Sequence, residues 1–306
     1  MHQMTFANAP DFIGVGFPRS GTTLLHVALS QHPQLSLPTT GHDFYQKELH
    51  YFDRDILKSS VKRYLNNWTN NATVKGEITP AYCTLSAYQI LQIKRLFPHL
   101  KVLMVIRNPW HRAESHLKLY AHRQNPAVLS DPEALRKFLE SDHFLRRSLY
   151  TESYKQYSTV FSGQFLALPF SLLTNSSDCL DRVFNFLGVN PLPRTEHLDK
   201  VWHSDNWGQL SRDNYNIFSD HVHDLFINDL RALQRTLNDD PNIYSSFLIE
   251  EIDSWLSGRV LRQSDRADER RHITGPLLRS KLRTKLLDGA TAARVTMHRL
   301  QNFKSP

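Results

Sequence analysis

The chain has 306 residues, 40% hydrophobic and 22% charged, with a formal net charge of +7. That is enough apolar material for a full core and too much for a disordered chain. No apolar run approaches the roughly 18 to 20 residues of a membrane span, and the N-terminal Met1 to Pro10 has neither the basic start nor the apolar centre of a secretory signal, so a cytoplasmic location is expected. Two cysteines, Cys83 and Cys179, give no disulfide framework and no metal-ligand spacing, and the sixteen histidines are mostly scattered, so no metal is expected.

In chain order, apolar runs near 11–16, 73–76, 101–106 and 164–168 predict strands. Helical periodicity predicts helices at 85–97, 109–122, 131–140, 148–161, 175–187 and 222–237. Their alternation predicts an α/β fold, a P-loop-NTPase-like parallel sheet flanked by helices. The expected division is a catalytic domain over 8–240 and a helical, basic extension over 241–306. Residues 259–306 hold twelve Lys/Arg and four Asp/Glu, a net of +8 that leaves the body at −1.

The first strand runs into Gly16-Phe-Pro-Arg-Ser-Gly-Thr-Thr23 and then a helix start. Unpaired N–H groups at a helix N-terminus, with the positive end of its dipole behind them, bind anionic oxygens, and glycines let the backbone come close. Gly16, Gly21 and the Thr22 and Thr23 hydroxyls fit that role. The segment comes near the nucleotide-loop pattern G-x-x-x-x-G-K-[ST], but Thr22 stands where the lysine belongs and the cation, Arg19, lies inside the loop. A kinase needs that lysine and the following hydroxyl for phosphates and Mg²⁺. A donor with less charge at its transferring end needs one cation and a ring of N–H donors.

Pro18-Arg-Ser-Gly-Thr-Thr23 resembles the 5′-phosphosulfate loop of sulfotransferases that use 3′-phosphoadenosine 5′-phosphosulfate (PAPS). The resemblance implies that Arg19, Ser20, Gly21, Thr22 and Thr23 bind the donor, with Arg19 also acting in catalysis. Many family members have lysine at the loop cation. Arginine there stays charged, donates through a planar fork and cannot act as a general acid.

Lys47-Glu-Leu-His-Tyr-Phe-Asp53 resembles the K-E-x-H-F-F segment of heparan-sulfate-type sulfotransferases and their bacterial relatives. Sulfuryl transfer to an alcohol requires loss of the acceptor proton, which a carboxylate of raised pKa can take. The resemblance implies Glu48 as base and His50 as a supporting group, on the same side if the segment is extended. His42 is a rival base. Gly76-Glu-Ile-Thr-Pro-Ala-Tyr82 is similar to the family's G-E-K-T-P-x-Y segment, with Ile78 in place of the lysine, whose role would pass to Lys47 or Lys75.

Arg107-Asn-Pro109 follows the strand at 101–106, and Ser115 lies about two helical turns further on. Arg107 thus stands at a strand's carboxyl end, where open α/β sheets bind ligands. The run resembles the family's 3′-phosphate site, which implies that Arg107 and Ser115 hold the donor's 3′-phosphate. Phe144 to Tyr150 and Leu172 to Val189 match later family segments, so the resemblance covers about residues 10 to 237.

These motifs imply transfer of a sulfuryl group from PAPS to the hydroxyl of a carbohydrate, lipid or small metabolite, without metal. The alternatives are a nucleotide kinase and a catalytically silent nucleotide-binding protein. A basic amphipathic helix predicted around Leu278, Leu282 and Leu286 suits docking on the body, or contact with an anionic membrane surface or acidic partner. No aromatic-interleaved basic platform accompanies it, so nucleic acid is not an expected partner.

Overall fold

The computed structural model of the chain describes residues 8–38, 47–55, 60–68, 73–175, 177–191, 208–239 and 245–264. Five parallel strands, β1 (Phe12–Gly14), β2 (Leu35–Ser36), β3 (Val74–Ile78), β4 (Lys101–Ile106) and β5 (Phe165–Pro169), form a sheet in the order β2-β3-β1-β4-β5. The four expected strands are there. The fifth, β2, is a two-residue edge too short to leave a periodic signal.

β5 and, from Val102 onward, β4 are apolar throughout because both faces are covered. Val102, Met104 and Ile106 enter one core with α3 (Ala87–Leu96), α4 (Pro109–Arg123), α5 (Pro132–Leu139), α7 (Thr151–Val160) and α10 (Arg212–Asn238). Leu103 and Val105 enter the other, with α1 (Thr22–Ser30) and α9 (Ser177–Leu187). Two short helices, α2 (Val61–Leu65) and α6 (Asp142–Leu145), and α8 (Phe170–Asn175) after β5 fill the connections. The last described helix, α11 (Ser245–Ser264), lies beyond residue 240 and sends Leu248 and Ile252 into the first core. The Leu278 helix, Trp202 and Trp207 lie outside the described residues.

α10 starts ten residues before the expected 222. Ser211 caps it by accepting from Asn214 N, and Phe218 already lies on its buried stripe. The helix also caps another: α7 has no side-chain cap of its own, and the Asp229 carboxylate accepts from Tyr150 N (2.6 Å) and Thr151 N (3.3 Å). This fixes Tyr150, whose hydroxyl donates to the Arg107 carbonyl (2.7 Å) and whose ring packs on Phe17 at 4.5 Å.

After β1 the chain crosses to one side of the sheet, and after β4 to the other. Adjacent strands with diverging connections leave a crevice at their carboxyl ends, the usual ligand position in an open α/β sheet. The loop ending in Thr23 and the Arg107 turn face each other there.

Candidate active site

β1 continues past its last strand residue through Val15 N, which donates to Leu103 O (2.8 Å). At Gly16 a Cβ would lie 2.2 Å from Val105 N, so only glycine lets the loop leave this close to β4. Gly21 caps α1 with φ 89° and offers no side chain to its first N–H groups, which are left for a ligand. Ser20 Oγ is fully buried and has no hydrogen-bond partner among the described residues. Arg19 takes a left-handed φ of 70°, an uncommon conformation for a bulky residue that concentrates at functional sites.

The Arg107 turn meets this loop. Asn108 Oδ1 accepts from Trp110 N (3.1 Å) and His111 N (3.3 Å), so α4 starts immediately after Arg107, with Pro109 in its first turn. Arg107 donates from Nη1 to the Arg19 carbonyl (3.0 Å) and lies 4.7 Å above the Phe170 ring. Arg19 donates from Nε to Ser115 Oγ (3.0 Å). The structure thus brings Arg19, Arg107 and Ser115 together across 96 residues of sequence, around an N-terminus that has no acidic residue in its first turn.

Glu48 and His50 form a second cluster. Lys47 Nζ lies 3.0 Å from Glu48 Oε1, His50 Nε2 3.2 Å from Glu48 Oε2, and His50 Nδ1 2.9 Å from Asp53 Oδ2. The pairing is not the one expected of an extended segment. His50 has φ 52° and leads into a π-helical turn, Tyr51–Asp55, which brings Asp53 back beneath the ring. Both ring nitrogens face carboxylates, so the ring is an imidazolium donating twice. Its pKa is raised to about 9 by the bond to Asp53, then by that to Glu48.

Glu48 departs from expectation. Burial pushes its pKa up, but the bonds from His50 and Lys47 outweigh this and hold the carboxyl below its ordinary value. It is ionised at neutral pH, with one oxygen bound by each cation.

The raised pKa of His50 has a consequence for stability. The folded protein keeps a proton that the unfolded chain releases above about pH 6.5. The stabilisation is complete below that pH and is lost as pH rises through about 9. Urea unfolding at about pH 6 and about pH 9.5 is expected to differ by on the order of 1 to 3 kcal/mol, and His50→Gln should remove this contribution.

Sequence reading missed three contributors. His26, one turn after Thr22 on α1, is buried close enough to Lys47 and Glu48 for both charges to act on it. Its pKa falls to about 4 through burial and then the Lys47 charge, which leaves it neutral. Its i,i+4 spacing from Thr22 was the available signal. Glu77 and Tyr64 act from beneath. Glu77 is fully buried and accepts from Tyr64 Oη (2.9 Å), Tyr82 Oη (2.9 Å) and Thr79 Oγ1 (2.6 Å). Thr79 Oγ1 in turn accepts from Leu49 N (3.1 Å), and Tyr82 Oη from Tyr51 N (3.0 Å).

Ile78 is fully buried in the second core, against Gly14. Of the two lysines named for the missing cation, Lys47 lies in the Glu48 cluster, whereas Lys75 sits at the other end of β3 against Asn8 Oδ1 (3.1 Å). His42 lies outside the described residues. Among the described residues no group of His, Cys, Asp and Glu suits a metal ion, and no helix is long and apolar enough to cross a membrane.

Known proteins resemble the chain. It is 26% identical over 126 residues to the bifunctional heparan sulfate N-deacetylase/N-sulfotransferase 1 of Caenorhabditis elegans, covering 41% of this chain and 15% of that one. It is 23% identical over 206 residues to the bifunctional heparan sulfate N-deacetylase/N-sulfotransferase 2 of Bos taurus, covering 62% and 23%. The chain thus spans under a quarter of these longer relatives. A sulfotransferase crystal structure from Alicyclobacillus acidocaldarius superimposes with a TM-score of 0.54 at 20% identity, covering 74% of this chain and 95% of that one, and so shares the fold. The model of the sulfotransferase family matches residues 10–193, more than half of the chain, and the chain belongs to that family.

Proposed function

We propose that the chain transfers the sulfuryl group of PAPS to an acceptor hydroxyl, with Glu48 as general base. The observation that carries this reading is the meeting of Arg19, Arg107 and Ser115 around the start of α1, which has no side-chain cap, with the Glu48 and Lys47 charges near enough to act on His26 of the same helix. The orphaned Ser20 Oγ and the uncapped N-terminus fit an anionic group in the loop.

The donor supplies the sulfuryl group and departs as adenosine 3′,5′-bisphosphate. Arg107 and Ser115 hold its 3′-phosphate. Arg19 and the N–H groups of residues 21–23 take up the charge left on the leaving oxygen as its bond to sulfur breaks. Glu48 takes the acceptor proton as the new O–S bond forms, and His50, fixed by Asp53, aims the carboxylate. The acceptor is a carbohydrate, a lipid or a small metabolite, and the heparan sulfate in the relatives' names favours the first.

Calorimetric titration with adenosine 3′,5′-bisphosphate, ADP and ATP in the absence of metal tests the donor site. Micromolar binding selective for the 3′-phosphate is expected, and Arg107→Ala should weaken it roughly 10- to 100-fold, the loss of a charge-assisted contact. Binding of ATP alone and only with Mg²⁺ would replace this reading with a nucleotide kinase. Unchanged affinity in Arg107→Ala would remove its 3′-phosphate role.

A further inference from the structure

Arg112, on α4 between Arg107 and Ser115, is a fully buried cation that contacts neither Arg19 nor Ser115 through any hydrogen bond seen here. Its Nη2 donates to Ser148 Oγ (2.5 Å), and its Nη1 to the Pro18 carbonyl (3.4 Å) and His116 Nδ1 (3.4 Å). Nε has no partner.

These three acceptors are neutral, as is Tyr150, which also hydrogen-bonds Arg112 and whose hydroxyl is kept protonated by burial. Ser148 commits its own proton to Phe144 O (2.6 Å). His116 is buried between Phe138 and Phe144, and burial, then the Arg112 charge, pushes its pKa well down. No carboxylate among the described residues bonds to Arg112 or pairs with it. The groups that could offset it, Tyr150 and Cys83, are kept protonated by burial, while Arg107 acts on Arg112 with the same sign and Arg19 and Arg147 act on the adjoining His116. A guanidinium taken out of water without a counter-charge is among the costliest groups a core can hold.

One acceptor shows what this cation is for. Pro18 precedes Arg19 in the loop, so Arg112 stands directly behind the segment whose other side faces the crevice. We propose that Arg112 is a positioning residue for the sulfuryl donor, a buried charge uncompensated in the free protein that braces the loop at Pro18 and gains its counter-charge when the donor's anionic end enters the loop. This rests on the reading of that loop as the donor site. A residue that merely staples α4 to Ser148 would lower stability when removed and leave affinity alone. A stored counter-charge does the opposite.

The test compares wild type, Arg112→Met and Arg112→Lys by thermal unfolding without ligand and by calorimetry with adenosine 3′,5′-bisphosphate. Arg112→Met is expected to unfold at or above the wild-type midpoint and to bind at least about tenfold more weakly, the order of effect of one unit charge across a loop at an effective dielectric near 20. Arg112→Lys, which keeps the charge and loses the fork, should bind within about threefold of wild type. Wild-type affinity in Arg112→Met overturns the proposal, as does a midpoint lowered by more than ~5 °C. So does Arg112→Lys losing as much affinity as Arg112→Met. If Arg112→Met does not fold, Arg112→Lys decides alone: retained binding supports the stored charge, and tenfold loss overturns it. A wild-type protein that ignores the bisphosphate refutes the donor site itself, an outcome distinct from equal binding by wild type and variant.

Discussion

Glu48→Gln is expected to lower turnover by about 10²- to 10⁴-fold, the usual contribution of a positioned proton acceptor, with little change in affinity for adenosine 3′,5′-bisphosphate. The amide keeps the shape of the carboxylate but cannot accept a proton at neutral pH. Its NH₂ must also face either Lys47 or His50, each of which is itself a donor within 3.2 Å of the native oxygens. The base is therefore lost together with the geometry that aimed it, while the loop around Arg19 is untouched. The measurement is single-turnover transfer of labelled sulfate to an acceptor found by screening, beside the calorimetric affinity. Normal turnover would pass the base role to His42; loss of donor affinity would make Glu48 part of the donor site.

The low pKa of Glu48 shapes how it works as a base. A carboxylate made less basic by Lys47 and His50 does not deprotonate a free alcohol to any extent. It accepts the proton as the acceptor oxygen becomes acidic during bond formation to sulfur, which ties proton transfer to sulfuryl transfer. The cations lower the carboxylate's proton affinity and in return keep it ionised and correctly turned.

The parts of the site that were legible in the sequence are local. Gly16 to Thr23 and Arg107 to Ser115 each join a strand end to a helix start, and short-range spacing writes such junctions plainly. What joins them is not local: the Arg19 to Ser115 bond and the Arg107 to Arg19 carbonyl bond depend on which strands are neighbours, and only the sheet order supplies that. Glu48 and His50 could share a side in an extended segment, but the backbone at His50 is left-handed, and nothing local in Tyr51-Phe52-Asp53 signals the turn that brings a second carboxylate to the ring. Glu77 was visible as a letter of its motif. Its burial was not, since a glutamate between Gly76 and Ile78 reads equally well as a solvated strand residue.

Glu77→Gln is expected to destabilise the fold by about 2 to 4 kcal/mol and to lower turnover while donor affinity stays close to wild type. A carboxylate accepts at both oxygens, so Tyr64, Tyr82 and Thr79 all point their protons at Glu77, which frees the Thr79 and Tyr82 oxygens to accept from Leu49 N and Tyr51 N. A glutamine has one donor end. Whichever hydroxyl meets it must turn its proton away, and either that hydroxyl or the backbone N–H it served is left buried without a partner. Burial raises the Glu77 pKa despite these three bonds, so the carboxylate already sits at a cost that only the complete network offsets. The backbone on both sides of His50 is hung from this network, so an error here reaches the Glu48 cluster, whereas Arg19, Arg107 and Ser115 are held by β1, β4 and α4. Urea unfolding and the split between kcat and donor affinity measure the two effects separately. A variant with lowered stability but full turnover would show that Lys47, His50 and Asp53 hold Glu48 in place without support from beneath.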